Sequence, residues 1–171
     1  MSIREANVKD ANEIAKIHVK AWQVGYKEFM PKEYLDSLSV ESKKIIWSEA
    51  LTKKGPGTNL VIEENGFIVG FSVFGPARDK ELENKNCGEL VALNILPEYW
   101  GNGFGSELTK YVIKISKNKK WNALYLWVIK KNIRARRIYE SFGFVEEGAE
   151  KSDTKLTGHE LHEVRYIKTL P

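Results

Sequence analysis

A chain of 171 residues, 42% hydrophobic and 29% charged, is long enough to bury a core without disulfides or metal, and a single domain over residues 1–171 is expected. Its one cysteine, Cys87, excludes an internal disulfide, and the charged opening MSIREANVKD excludes a secretory signal, so a cytoplasmic setting is expected. The net charge of +4 is modest, and the longest apolar runs, such as LVALNIL at Leu90–Leu96, fall far short of the ~20 residues a bilayer span needs, so no membrane partner is expected.

Ile3–Ala6 reads as a short strand, and Asp10 as the cap of a helix over 11–26 in which Ile14, Ile17, Ala21 and Val24 recur at helical spacing. PKEYLDSL and VESKKIIWSEAL predict further helical pieces, stopped by the GPG of Gly55–Gly57. The run LVIEENGFIVGFSVFG predicts a hairpin, because Asn65-Gly66 between two β-branched runs favours a type I′ turn. A strand through GELVALNIL, a glycine-rich turn, a helix SELTKYVIKISKN and a strand ALYLWVI then make a strand-helix-strand unit. A helix NIRARRIYESF, ended by Gly143, and two strands near FVEEG and HEVRYIKTL complete a mixed α/β order.

The turn PEYWGNGFGS places Gly101, Gly103 and Gly105 at the start of a helix. N–H groups in a helix's first turn lack intrahelical partners and lie at the positive end of its dipole, so they attract anions. Glycines let a phosphate approach those donors and reach backbone angles other residues avoid. The same residues also suit a sharp connection without a ligand. A P-loop is unsupported, since no lysine follows the last glycine, and the G-x-G-x-G spacing departs from the dinucleotide-binding fingerprint. Some 30 residues on, Asn132, Ala135 and Tyr139 share one helix face, with a small residue between two polar ones.

LPEYWGNGFGSEL followed by NIRARRIYESFGF resembles the paired signature of the GNAT acyltransferase superfamily. The first half, Arg or Gln, two residues, Gly, one residue, then Gly or Ala, falls on Trp100, Gly103 and Gly105, with tryptophan in place of Arg or Gln. The second half, Asn-x-x-Ala-x-x-x-Tyr-x-x-x-Gly-Phe, matches at Asn132, Ala135, Tyr139, Gly143 and Phe144.

The resemblance implies an α/β (α+β) fold with a mostly antiparallel twisted sheet, splayed at the cofactor site and flanked by helices. It implies direct transfer of acetyl from acetyl-CoA to an amine in a ternary complex. Backbone around Gly101, Asn102, Gly103, Gly105 and Ser106 would hold the pyrophosphate, the strand at Leu93 and Ile95 would pair with the pantetheine arm, and Asn132 would steady that arm. Tyr139 would protonate the departing thiolate, its phenol having an ordinary pKa near ~10. A homodimer is implied by analogy with relatives.

Attack requires a neutral amine and hence a base, for which Glu89 is the first candidate and Glu163 the second. Trp22 and Tyr26, four apart, are candidates for an aromatic wall against a cationic amine, or else for core packing. Cys87 has no histidine adjacent in sequence to activate it as a nucleophile, and His18, His159 and His162 do not form a metal signature, so no metal is expected. The basic clusters KNKK (Lys117–Lys120) and KKNIRARR (Lys130–Arg137) raise nucleic acid as a rival partner. The helix carrying the second cluster has Ile133, Ile138 and Phe142 to bury, so Arg136 or Arg137 is expected on the phosphates of CoA instead. The expected acceptor is a primary amine of a small molecule (a polyamine, an amino acid or an antibiotic-like compound), with a protein N-terminus or lysine, or a non-catalytic CoA-binding regulator, as the alternatives.

Overall fold

The computed structural model describes residues 1–53 and 55–171. They fall into two compact units, 1–73 with 92–108 and 74–91 with 109–171.

The first unit opens with strand β1 (Ser2–Glu5), antiparallel to β2 (Thr58–Glu64) with Ile3 opposite Ile62. Between them lie helices α1 (Ala11–Gly25), α2 (Lys32–Asp36) and α3 (Val40–Lys53). Asp10 stands at the N-cap of α1, as expected, but its side chain makes no capping hydrogen bond to that helix. Its carboxylate pairs with Arg4 of β1 at 2.7 Å and accepts the Asn7 N–H at 2.8 Å, closing a capping box on the 3-10 turn Val8–Asp10. The long basic side chain arriving from the neighbouring strand decides the matter. Helix α1 buries Ile14, Ile17 and Ala21 as its periodicity predicts, whereas Val24, near its end, is exposed. Ile14, Ala15, Ile17, Trp47, Leu51, Val61 and Phe71 form one apolar cluster. Strand β3 (Phe67–Pro76) follows β2 through Asn65 and Gly66, whose φ values of 51° and 82° are those of the expected type I′ turn.

Strand β4 (Cys87–Ile95) and helix α4 (Phe104–Asn118) each begin in one unit and end in the other. The second unit adds β5 (Ala123–Ile129), α5 (Ile133–Ser141), β6 (Val145–Asp153) and β7 (Leu161–Thr169). The seven strands run in the order β1-β2-β3-β4-β5-β7-β6, a mostly antiparallel open sheet flanked by helices in which β4 and β5 are parallel. The β4–β5 register covers Cys87, Gly88 and Glu89 against Ala123, Leu124 and Tyr125. Past it β4 turns from buried to an exposed Val91 and half-buried Ala92, Leu93 and Asn94. Gly88 gives Trp121 its place, since a Cβ there would stand 2.0 Å from the indole.

Strand β6 is longer than the expected FVEEG. Its register against β7 shifts between Glu146 and Glu150, where Gly148 takes φ +85°, and then continues to Asp153. Among the described residues no helix is long and apolar enough to cross a membrane.

Candidate active site

In the first unit, β4 ends at Ile95, a 3-10 turn spans Pro97–Tyr99, and the glycine run follows. Gly101 and Gly103 have φ of +80° and +86°, a region that side-chain-bearing residues rarely adopt. A Cβ built on either meets nothing within 4 Å. Backbone angle, not crowding, therefore requires glycine here, and the peptide surface at these two residues is bare.

Helix α4 starts at Phe104, two residues before the expected Ser106, so Gly105 is already helical. A Cβ on Gly105 would make ordinary contact with Leu93 and Ile95 at 3.7 and 3.8 Å. The loop is held at both ends. Phe104 is buried and meets Tyr99 edge-on at 5.6 Å, and the Trp100 indole donates to the Ile95 carbonyl at 2.7 Å.

Trp22 and Tyr26 stack edge to face at 5.2 Å on α1. Trp22 also meets His18 at 5.0 Å, and the Lys43 ammonium lies 5.8 Å from its ring. Lys43 thus occupies the kind of position expected for a substrate ammonium. His18, which the sequence singled out only in excluding a metal, accepts the Trp47 indole N–H on Nδ1 at 3.2 Å. Burial, with help from the Lys43 charge, pushes its pKa down to about 4, so the ring is neutral at physiological pH.

In the second unit the matched residues of α5 explain one another. Asn132 is its N-cap, the side chain accepting the Ala135 N–H at 3.1 Å. Gly143 takes φ +80° just past the helix end, and the Phe144 N–H returns to the Tyr139 carbonyl at 3.1 Å. That turn swings the buried Phe144 ring edge-on to Tyr139 at 5.9 Å. Two positions of the pattern thus place a third. Arg136 is engaged within its own unit, donating to the Tyr166 hydroxyl at 2.9 Å, the Lys130 carbonyl at 2.9 Å and Glu146 at 2.8 Å. Its neighbour Arg137 is exposed. Lys130 pairs with Glu150 at 2.7 Å, so carboxylates of β6 offset part of the basic cluster.

Glu89 is buried, its side chain 4% exposed, with both oxygens engaged. Arg78 donates to each at 2.7 Å, and the Tyr125 hydroxyl donates to Oε2 at 2.9 Å. The same hydroxyl accepts the Arg78 and Asp79 backbone N–H groups at 3.0 and 3.1 Å, and burial pushes the phenol up to about 12. Glu89 therefore anchors the β3–β4 connection through Arg78 and Tyr125. Sequence spacing carried no signal for this pair.

Glu163 is less confined, with the Lys151 ammonium at 3.5 Å. Arg165, two residues further along β7, is buried among Asp79, Glu81 and Glu147 and was likewise missed. Burial raises the Cys87 thiol pKa, as suits a packing residue. Among the described residues no group of three or more His, Cys, Asp or Glu is placed to hold a metal ion.

Residues 12–144 match the family described as acetyltransferase (GNAT). An uncharacterized N-acetyltransferase of Bacillus subtilis, YuaI, is 32% identical over 132 residues, 77% of this chain and 73% of that protein. A [ribosomal protein bS18]-alanine N-acetyltransferase of Haemophilus influenzae is 32% identical over 70% of this chain and 79% of its own length. A spermine/spermidine N(1)-acetyltransferase of Bacillus subtilis is 32% identical over 48% of this chain and 56% of its own length. Among solved structures, the PaiA N-acetyltransferase from Thermoplasma acidophilum in complex with coenzyme A superposes with a TM-score of 0.74, covering 98% of each chain at 21% identity.

Proposed function

Because this chain belongs to the acetyltransferase (GNAT) family, we propose that it transfers the acetyl group of acetyl-CoA to a primary amine of a small molecule. The observation that carries the reading is the bare left-handed backbone at Gly101 and Gly103, immediately before α4, where a pyrophosphate can reach main-chain N–H groups. Gly105 and Ser106, in the first turn of α4, extend that cradle, with Asn102 between the two left-handed glycines. The half-buried stretch Ala92–Asn94 of β4 suits an extended pantetheine arm, with Leu93 and Ile95 as its pairing residues. Asn132, its oxygen engaged in the α5 cap, meets the arm through its amide N–H2 group. Arg137 takes the phosphate role expected of either arginine, because Arg136 is engaged elsewhere.

Acetyl-CoA supplies the activated thioester that a neutral amine attacks. Tyr139 delivers its phenolic proton to the departing sulfur. The amine's proton goes to Glu163, whose single ion pair is looser than the bidentate grip on Glu89. Rate comes chiefly from holding donor and acceptor together. Trp22 and Tyr26 remain the acceptor wall, and Lys43 beside Trp22 favours an acceptor with a nearby carboxylate or hydroxyl over one with a second ammonium.

The test is the shift in melting temperature with CoA, acetyl-CoA, ATP and NADH. A ligand at about 100 times its dissociation constant adds ~2.7 kcal/mol of stability. Stabilisation by CoA and acetyl-CoA alone is expected, followed by amine-dependent thiol release in a screen of small amines. No shift with either at millimolar concentration removes the reading, and release with peptide N-termini alone replaces the small-molecule acceptor.

A further inference from the structure

The tryptophan at the family's Arg or Gln position has an explanation in what its side chain touches. The indole N–H donates to the carbonyl of Ile95, the last residue of β4, at 2.7 Å. The far edge of the ring lies 3.7 Å from where a Cβ on Gly25 would stand, so the end of α1 forms the floor beneath it. The residue itself is extended, with φ −66° and ψ 147°, and hands the chain to Gly101 in its left-handed conformation. Lys20 of α1 and Glu98 of the preceding turn form a second tie between the same two segments.

A loop with two left-handed glycines has more conformations to lose on ordering than one built of other residues. Such a loop binds an anion well only if something else holds it in the binding form beforehand. Phe104 fixes its downstream end, and Trp100 is the fixed point upstream. Arginine, glutamine and tryptophan differ in shape and charge, yet each carries a side-chain N–H donor, and tryptophan has no other polar side-chain atom.

We infer that Trp100 is a positioning residue for the donor substrate. Its indole N–H, bonded to the strand-end carbonyl, holds Gly101–Gly105 in the conformation that receives pyrophosphate, and an N–H donor is what this position requires. The inference rests on the acetyl-CoA reading above and concerns only the pyrophosphate end of that ligand.

The experiment compares wild type, Trp100→Phe and Trp100→Gln by calorimetric affinity for CoA, and for pantetheine, which lacks the pyrophosphate, by ligand-observed NMR. Trp100→Phe keeps a ring and loses the donor, and its CoA affinity is expected to fall about tenfold while pantetheine binding is unchanged. Trp100→Gln, which restores a donor, is expected to stay within about threefold of wild type. Equal CoA affinity in wild type and Trp100→Phe overturns the inference, as does an equal loss for CoA and pantetheine, which marks general damage. Trp100→Gln as weak as Trp100→Phe overturns the donor requirement.

Wild type that binds no CoA removes the acetyl-CoA reading itself, a result distinct from all of these. Should Trp100→Phe fail to fold, the wild-type indole N–H answers alone. Its NMR signal is expected to be protected from solvent exchange and to move with CoA but not with pantetheine, and an unprotected or unmoved signal overturns the proposal.

Discussion

At the scale of single residues, the three groups weighed for proton transfer are in different surroundings, and the differences set what their removal does. Tyr139→Phe keeps the ring against Phe144 and removes only the proton donor, so kcat is expected to fall about 100-fold or more with CoA affinity unchanged. Glu163→Gln is expected to lower kcat at neutral pH without changing the melting temperature by more than a degree or two. Glu89→Gln withdraws the charge that Arg78 and Tyr125 hold and is expected to cost about 1–3 kcal/mol of stability, with a smaller effect on kcat than Glu163→Gln. Steady-state kinetics beside thermal melts of the three variants checks the set; a Glu89→Gln variant that melts like wild type but has lost turnover returns the base to Glu89. The motif residues Asn132, Gly143 and Tyr139 were legible because each lies within a few residues of the group it touches. The ion pair of Glu89 was not legible because its partners, Arg78 and Tyr125, come from a connection and a neighbouring strand, and periodicity within β4 carries no trace of them.

At the scale of elements, local chemistry was readable wherever it decided the outcome. The Asn65-Gly66 turn appears as expected because only that pair supplies two left-handed residues in succession between two β-branched runs. Strand β6 was underestimated because most of its residues are exposed and it passes through a bulge, so neither alternation nor a continuous apolar run marks it. Helix α4 begins two residues earlier than its glycine-rich approach suggests, because Gly105 has room inside the helix. The three glycines therefore have different tolerances. Gly103→Ala forces a Cβ onto a residue at φ +86°, a strain of about 1–2 kcal/mol, and is expected to weaken CoA binding roughly tenfold. Gly101→Ala, at φ +80°, is expected to behave alike. Gly105→Ala meets only ordinary contacts and is expected to bind CoA within about twofold of wild type, in keeping with the Gly or Ala of the family pattern. A calorimetric series across the three resolves this, and equal losses at all three positions mean that crowding of the ligand, not backbone angle, governs the loop.

At the scale of the whole molecule, the response to acid separates two titratable groups, a half-buried neutral imidazole and a buried carboxylate. Burial pushes His18 from its usual value of 6.5 to about 4, so between those limits the unfolded chain binds a proton that the folded one refuses. The contribution is intact above pH 6.5 and is lost as pH falls toward 4, with a limit on the order of 3 kcal/mol. The Asp10 carboxyl behaves in the lower window. The hydrogen bond from Arg4 holds it below its ordinary 3.8, so its stabilisation persists above that value and is lost as pH falls through the folded pKa. The groups facing His18 are Trp47, which donates to it, the rings of Trp22 and Phe71, and the Lys43 cation; none offers a negative charge that would welcome the proton. Thermal melts from pH 7 to pH 4 are therefore expected to show a decline that His18→Phe flattens, even though that variant starts less stable after losing the Trp47 hydrogen bond. The slope, not the starting stability, is the quantity that decides: if His18→Phe and wild type lose stability in parallel over this range, the decline belongs to other groups and the ring of His18 is better solvated than its packing implies.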